Sequence, residues 1–473
     1  MFKVFELLNA TQGRLIKGPK QSRVLGISID SRSIRPQEAF IAIKGKNFNG
    51  HDFIKQAIKK GASCVIVSTS YPSTSLGAGE MRVTPRLRSG QASYEKQRVA
   101  FIAVRDTIRA LGDIARYHRH KIDIPIIAVT GSNGKTTTKE MIAWVLSKRL
   151  EVLKNPGTKN NQVGLPLSLL GLNSSHNAAV LELGTNHFGE IAYLSGISEP
   201  NIGIITNIGP SHLEFFKDLK GVFREKYSVA GYLKKPRMMI LNADDNTLKR
   251  KLSKREKRSF NLGFGIRSKT DFSATAIKIR NSRMEFVVNK KYKFTLKVIG
   301  YSNIYNALAS IAVARVLGMG YNDIASKLSN FTFTQGRLSL LESNNTRFLD
   351  DSYNSNPLSL KQALDALDGF KTVGRKIFVM GDMLELGKRK ETFHRLAGLQ
   401  AAKSCDVLIT VGSLSKFAAK SAKLRGLDME NIFSCESTLQ AKDLLFKKIS
   451  PGPKDIVLVK GSRSMKMEEI FRT

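Results

Sequence analysis

Cysteine is scarce in this chain: Cys64, Cys405 and Cys435 are the only three in 473 residues. They lie far apart, without the short spacing of a metal site or the even number of a disulfide framework, so a reducing, cytoplasmic setting is expected. Long hydrophobic runs are also missing. No stretch approaches the ~18 apolar residues that suggest a membrane span. Residues 1–20 carry charges and no continuous apolar segment, so no signal peptide is expected. Acidic residues are few: 39 Asp and Glu stand against 76 Lys and Arg, a formal net charge of +37. Such an excess fits a nucleic-acid partner, a polyanionic substrate or a well-solvated surface. The basic residues are spread along the whole chain, and the densest run, 249–258, has few aromatics among them. A nucleic-acid partner is therefore not expected, and the charge is read as a solubility and steering term. No internal repeat is visible.

What remains is an ordinary soluble composition, 42% apolar and 24% charged, in a chain too long for one core. Its most telling stretch is Thr130-Gly131-Ser132-Asn133-Gly134-Lys135-Thr136-Thr137-Thr138. An apolar run, 124–129, precedes it. Met141, Ile142, Val145 and Leu146 follow at helical spacing. A strand, a glycine loop and a helix start make a phosphate cradle, because the helix end presents free N–H groups and a positive dipole. Lys135 is then placed to reach terminal phosphates, and the Thr136 hydroxyl to hold Mg²⁺. The longer form of the motif has a further glycine where Val129 stands, so the loop is read as the shorter GxxGKT form.

The pattern predicts an α/β protein of three domains, 1–118, 119–333 and 334–473. In the first, 26–30, 39–43 and 64–67 read as strands, and 53–60 and 111–120 as helices. Residues 71–98, rich in Ser, Gly and Arg, lose all periodicity and read as an inserted loop. In the second, buried strands are expected at 124–129, 178–183, 202–207 and 238–242, which makes a parallel-sheet P-loop ATPase domain. An antiparallel appendage is expected over 272–299 and an Ala-rich helix over 303–317. In the third, strands at 347–351, 377–381, 407–411 and 456–459, separated by helices such as 359–367 and 441–447, indicate a smaller Rossmann-like domain.

Two further segments stand at strand ends, where ligands of open α/β sheets bind. Glu182-Leu183-Gly184-Thr185-Asn186-His187 offers Glu182 as an oxygen donor to Mg²⁺. Thr206-Asn207-Ile208-Gly209-Pro210-Ser211-His212-Leu213-Glu214 offers His212 to a metal or a phosphate. Either could equally be a strand cap.

Together these segments resemble the Mur ligase family, ATP-dependent amino-acid and peptide ligases of peptidoglycan synthesis. The residues that carry the resemblance, in order, are the Gly131 loop, Asn160-Asn161 before Gly164-Leu165-Pro166, Glu182, His212, Gly300-Tyr301-Ser302-Asn303-Ile304-Tyr305-Asn306-Ala307, and Gly336-Arg337. Asp350-Asp351-Ser352-Tyr353-Asn354-Ser355-Asn356-Pro357, Gly381-Asp382-Met383-Leu384-Glu385-Leu386-Gly387 and Lys460-Gly461-Ser462-Arg463 point within the family to the member that adds a D-alanyl-D-alanine dipeptide. The Asp-Asn-Pro-Arg motif of the diaminopimelate- or lysine-adding member is missing. Asp30-Ser31-Arg32 and Phe48-Asn49-Gly50-His51-Asp52-Phe53 are similar to the family's nucleotide-sugar domain.

The resemblance implies a cytoplasmic, monomeric enzyme. It would join D-alanyl-D-alanine to the tripeptide carboxylate of UDP-N-acetylmuramoyl-tripeptide through an acyl phosphate, with ATP and two Mg²⁺ ions. It implies ATP contacts from Gly131, Ser132, Asn133, Gly134, Lys135, Thr136 and Thr137, from Asn303 and Asn306 near the adenine, from Arg337 at the phosphates and from Asp351 at the ribose. Substrate contacts would come from Ser31, Arg32, Asn160 and Asn161. Metal ligands would be Thr136, Glu182, His212 and Lys226, the last as a carbamate, since an ammonium repels a cation. Lys135, Lys226 and His212 would be the catalytic residues. The chain departs from the family at Ser302, where a histidine is common. Folylpolyglutamate-type ligases share the ATP domain but lack an N-terminal nucleotide-sugar domain, which residues 1–118 supply here.

Overall fold

The computed structural model describes residues 2–45, 47–70, 99–253, 260–280, 283–297 and 300–472. The inserted loop expected over 71–98 and part of the basic run 249–258 lie outside the described residues. The chain forms two compact units. One comprises residues 1–124, 155–176 and 196–198, the other 125–154, 177–195 and 199–473.

The first unit is built on a five-stranded sheet in the order Arg14–Lys17, Ala100–Val104, Cys64–Ser68, Ala39–Ile41, Ile27–Ser28. All neighbours are parallel except the first pair. Cys64–Ser68 and Ala100–Val104 are buried almost throughout, which suits their run of Val, Ile, Phe and Ala. Helix Thr107–His120 starts where the Asp106 carboxylate accepts from the N–H groups of Ile108 and Arg109 at 2.8 and 3.1 Å. Leu111 and Ile114 face the core, where Val163, Leu167 and Leu170 join them.

The second unit holds two sheets. The larger has nine strands in the order Tyr292–Leu296, Arg283–Val288, Phe272–Arg280, Phe260–Gly265, Met238–Asn242, Ile202–Ile205, Ile126–Thr130, Ala178–Glu182, Val152–Lys154. From Phe272–Arg280 to Val152–Lys154 every neighbour pair is parallel. Arg283–Val288 pairs antiparallel with both Phe272–Arg280 and Tyr292–Leu296, as the alternation over 272–299 predicts, but these strands extend the main sheet rather than stand apart from it. Ile126–Thr130 is wholly buried. Helix Tyr301–Val316, apolar nearly all round, packs with helix Lys135–Leu146 in one core with Met141, Ile304, Leu308 and Ile311. At about 1.5–3 kcal/mol for each large side chain withdrawn from water, such a core fixes the loop between strand and helix.

The smaller sheet has the order Ser339–Ser343, Thr346–Asp350, Ile456–Lys460, Lys376–Gly381, Val407–Val411, Ile432–Cys435. It is parallel apart from the first hairpin. The four strands expected in this region form, and the short Ile432–Cys435 and Ser339–Ser343 extend the sheet at either edge. Among the described residues no helix is long and apolar enough to cross a membrane. All three cysteines are free and buried. Burial pushes the thiols of Cys64 and Cys405 up to about 12, so both are inert packing groups.

Candidate active site

The loop 131–134 leaves the carboxyl end of Ile126–Thr130, the strand flanked by Ala178–Glu182 on one side and Ile202–Ile205 on the other. Its backbone takes shapes that favour glycine: φ is +148° at Gly131 and +79° at Gly134. A Cβ on Gly131 would lie 1.9 Å from Thr206 Oγ1. The loop is tied from beneath. The Ser132 N–H donates to the Asn207 carbonyl at 3.0 Å. The Ser132 hydroxyl donates to the Gly209 carbonyl and accepts from its N–H, both at 2.9 Å, and the Asn133 N–H donates to Asn207 Oδ1 at 3.0 Å. The segment 206–211 therefore fixes the shape of the loop.

Lys135 begins the helix and folds back, its ammonium donating to the carbonyls of Gly131 at 2.8 Å and Ser132 at 3.3 Å. Burial lowers its pKa, the Glu182 carboxylate opposes that shift and Arg337 adds to it. Glu182 is buried at the end of its strand, as expected. Lys226, on helix Leu219–Tyr227, is 1% exposed. Burial and then the positive charge of Lys135 hold its pKa well below that of an ordinary lysine, with partial relief from Glu225. Lys135, Glu182 and Lys226 thus lie within electrostatic reach of one another. Arg337 joins them from the other sheet: its Nη2 donates to the Thr136 hydroxyl at 3.3 Å, and its guanidinium lies 4.0 Å from the centre of the Tyr353 ring.

His212 has a left-handed backbone, φ +50°, at the head of the short helix Leu213–Phe216. Its Nδ1 lies 2.6 Å from Glu385 Oε2. The bond to His212 holds the Glu385 carboxyl below its usual range, against the opposing effect of burial. Among the described residues no cluster of three or more His, Cys, Asp or Glu is placed to hold a metal ion. A metal here would need the Thr136 hydroxyl, a modified Lys226 or phosphate oxygens to complete its shell.

A cavity of about 350 Å³ opens beside the cradle, large enough for a small ligand. Gly134 and Asn306 line it, as do Asp244, Arg267, Tyr305 and Gln362. Asn306 accepts from the Thr138 hydroxyl at 3.1 Å and donates to Asn303 Oδ1 at 3.2 Å, so it ties the cradle helix to helix Tyr301–Val316 as well as facing the cavity. The Nδ2 of Asn303 is buried with no hydrogen-bond partner. Asp351 takes part in a buried ion pair with Lys460, whose ammonium also donates to the Asn354 carbonyl at 3.0 Å. Asp351 is not among the residues that line the cavity.

The expected substrate residues of the first unit have local roles. The Ser31 hydroxyl donates to Gln56 Oε1 at 2.7 Å. Arg32 is exposed and pairs with Asp30 at 2.8 Å. Asn161 Oδ1 accepts from the N–H groups of Val163 and Gly164 at 3.1 and 2.8 Å and so caps helix Gly164–Leu169. Asn160 precedes that cap, outside any helix, strand or turn.

Sequence reasoning missed Glu225. It is buried, accepts from the N–H groups of Gly189 and Ile191 at 2.7 Å each, and takes the Thr185 hydroxyl at 3.2 Å. It anchors the loop that follows Glu182. In the run Phe223-Arg224-Glu225-Lys226 nothing distinguishes it from a solvated helix carboxylate. Glu385 lay inside a quoted motif without a role.

Three family models match the chain: "Mur ligase family, catalytic domain" over residues 23–119, "Mur ligase middle domain" over 129–314, and "Mur ligase, glutamate ligase domain" over 336–463. The UDP-N-acetylmuramoyl-tripeptide–D-alanyl-D-alanine ligase of Bacillus subtilis is 32% identical over 96% of this chain and 93% of its own length. The ligase of the same name from Escherichia coli is 32% identical over 94% and 92%. A crystal structure of MurF from Acinetobacter baumannii superposes with a TM-score of 0.85 at 30% identity, covering 99% of this chain and 97% of that one. MurF ligase from Thermotoga maritima, solved in complex with ADP, gives 0.78 at 25% identity over 95% and 96%. On matches that span nearly its whole length, the chain belongs to the Mur ligase family.

Proposed function

We propose that this protein is the ATP-dependent ligase that joins D-alanyl-D-alanine to the tripeptide carboxylate of UDP-N-acetylmuramoyl-tripeptide, in cytoplasmic peptidoglycan precursor synthesis. The near full-length likeness to ligases of that name supports the substrates. The observation that carries the chemistry is the phosphate cradle with Lys135, Glu182, Lys226 and Arg337 gathered at its mouth.

A carboxylate is a poor electrophile. In the first step its oxygen attacks the γ-phosphorus of ATP, giving an acyl phosphate and ADP. In the second the dipeptide amine attacks the carbonyl carbon, phosphate leaves, and the nitrogen gives up a proton. Charge accumulates on phosphoryl oxygens, so the protein's part is to position and neutralise. The loop N–H groups hold the phosphates, Lys135 swings from its carbonyls to the terminal phosphoryl group, and Arg337 meets it from the opposite sheet. The 350 Å³ cavity takes the nucleoside, with Asn306 at its wall and Gln362 contributed by helix Pro357–Asp368.

The residues present fit Mg²⁺: a hydroxyl at Thr136 and a buried carboxylate at Glu182 are the oxygen donors a hard cation accepts, and the His212 imidazole would add a borderline nitrogen donor. When bound, Mg²⁺ would draw charge from the phosphoryl oxygens. Lys226 fits a ligand role as its carbamate. Burial lowers the pKa of this amine, and in its neutral form it adds CO₂, losing one proton and becoming an anion, so that the repulsion from Lys135 turns into attraction. Functionally we divide the chain at 1–118, 119–333 and 334–473, as nucleotide-sugar, ATP and dipeptide domains, the protein acting as a monomer.

The test is turnover by the purified full chain. ADP release should require UDP-N-acetylmuramoyl-tripeptide and D-alanyl-D-alanine together, with a pentapeptide product by mass spectrometry. ATP hydrolysis indifferent to both, or stimulated by DNA or RNA, would overturn the proposal.

A further inference from the structure

The segment around Glu385 is seated on the His212 turn through three separate contacts. The side chains meet at 2.6 Å. The Glu214 N–H points at the Glu385 carbonyl, 3.4 Å away. Gly387, at φ +60°, lies so close that a Cβ there would be 3.4 Å from the Glu214 Cα. Glu385 and His212 both hold left-handed backbones, φ +60° and +50°, which side chains other than glycine rarely adopt. Such conformations persist where their surroundings over-determine them, and they concentrate at functional positions. A surface ion pair between mobile side chains needs none of this, and Glu385 is half-exposed, so packing does not explain its place.

We propose that Glu385 is a positioning residue for the metal site: its carboxylate accepts the Nδ1–H of His212, fixes the tautomer of the imidazole and leaves Nε2 with the lone pair that binds a divalent cation. The chemistry is direct. An ionised carboxylate only accepts, so the ring nitrogen facing it must carry the proton, and in a neutral imidazole the other nitrogen is then a ligand. Because His212 lies in the middle-domain match and Glu385 in the C-terminal one, the cation site is complete only with the second in place against the first.

This inference rests on His212 being a metal ligand, so the experiment tests both. Mn²⁺ binding to the full chain, with a non-hydrolysable ATP analogue, is counted by electron paramagnetic resonance for the parent, His212→Ala, Glu385→Ala and Glu385→Gln. Nitrogen shifts of ¹⁵N-histidine-labelled, metal-free protein report the His212 tautomer. His212→Ala should abolish one class of Mn²⁺ site. Glu385→Ala should weaken that class about 10–100-fold, the range typical for the loss of such a partner, and mix the tautomers. Glu385→Gln, whose amide oxygen still accepts, should fall between, and the KM for ATP should stay within twofold in both. If His212→Ala keeps both classes, the metal assignment and this inference fall together. If His212→Ala loses one class while both Glu385 variants keep parental Mn²⁺ affinity and an unchanged tautomer, the inference alone is overturned.

Discussion

Replacing Lys226 by methionine sets stability and activity against each other. The amine is 1% exposed, and its pKa is lowered first by burial, then by Lys135. Below pH about 10.4 the unfolded chain therefore binds a proton that the native amine resists. The group costs stability as pH falls from about 10.4 to its folded pKa, and the cost is constant below that. Methionine approximates the length of the stem and removes the polar end, and burying a polar group costs about 1–3 kcal/mol where hydrogen bonds do not offset it. At neutral pH, Lys226→Met should match the parent or exceed it by up to about 2 kcal/mol. For a cooperative unit of 150–250 residues that is a Tm gain of a few degrees, at roughly 2–4 °C per kcal/mol. Turnover should fall at least about 10–100-fold, the loss typical when support of a metal site is removed. Calorimetry and an ADP-release assay read the two quantities. Bicarbonate added to CO₂-free protein should raise the parental Tm, because a carbamate forms only on the native amine, and should leave the variant unmoved. A variant that loses several kcal/mol along with its activity would mark Lys226 as structural, and an unchanged rate would remove it from the site.

Gly131→Ala puts a methyl 1.9 Å from Thr206 Oγ1 and 3.1 Å from its backbone nitrogen. Overpacking of this kind costs about 1–3 kcal/mol, and the distorted cradle should raise the KM for ATP at least about tenfold; a change under twofold would exclude the cradle. Glu225→Ala strips two backbone N–H groups of partners 2.7 Å away. At about 1–3 kcal/mol for each orphaned donor, urea unfolding should show a loss of about 2–6 kcal/mol, with Glu225→Gln intermediate; a loss under about 0.5 kcal/mol would contradict the anchoring role. Tyr305→Phe removes the 2.8 Å hydroxyl donor from Asp244. Burial pushes this carboxyl up, but the N–H groups of Arg267 and Ile266 and the Tyr305 hydroxyl outweigh it and bring it to about 2. A depressed carboxylate stabilises above its unfolded pKa, so the gap between Tyr305→Phe and the parent should be full above pH about 4 and close toward pH about 2. Urea midpoints that keep a constant gap across that range would show the ionised carboxylate to be irrelevant.

What the sequence made legible was chemistry written within one short stretch. The cradle needs a strand, two glycines, a lysine and a hydroxyl in a row, and 126–146 supplies them in that order. Buried parallel strands were legible because both their faces are apolar. Val152–Lys154 and Ile432–Cys435 were not: they are short and only partly buried, so the sheet they join decides their form. Segment 155–176 looked like part of the ATP domain by position, yet Leu167 and Leu170 complete the core under Leu111 and Ile114. Periodicity cannot reveal which core a short apolar run will join. Asn161 and Asn306 show a related limit, because an amide that resembles a ligand contact also caps a helix or ties two helices together.

The charge imbalance has its sharpest form inside the site. Lys226 feels Lys135, Lys135 feels Arg337, and Arg337 in turn acts on Lys460 and Asp351. Against these four cations stand Glu225, which is occupied with N–H groups, Glu182, and Asp351, which is paired. Cations withdrawn from water and facing one another are tolerated only where a counter-anion arrives or one of them gives up its proton. Under the proposed function a nucleotide polyphosphate would supply the first, at Lys135 and Arg337. Under the proposed function a carbamate would supply the second, at the buried Lys226. The same excess of positive charge that favours an anion at the cradle adds, after burial, to the lowering of the Lys226 pKa, and under the proposed function it favours modification of that amine. That coupling is lost if Lys135, Arg337 or Lys226 is replaced by a neutral group, even where the fold is left intact.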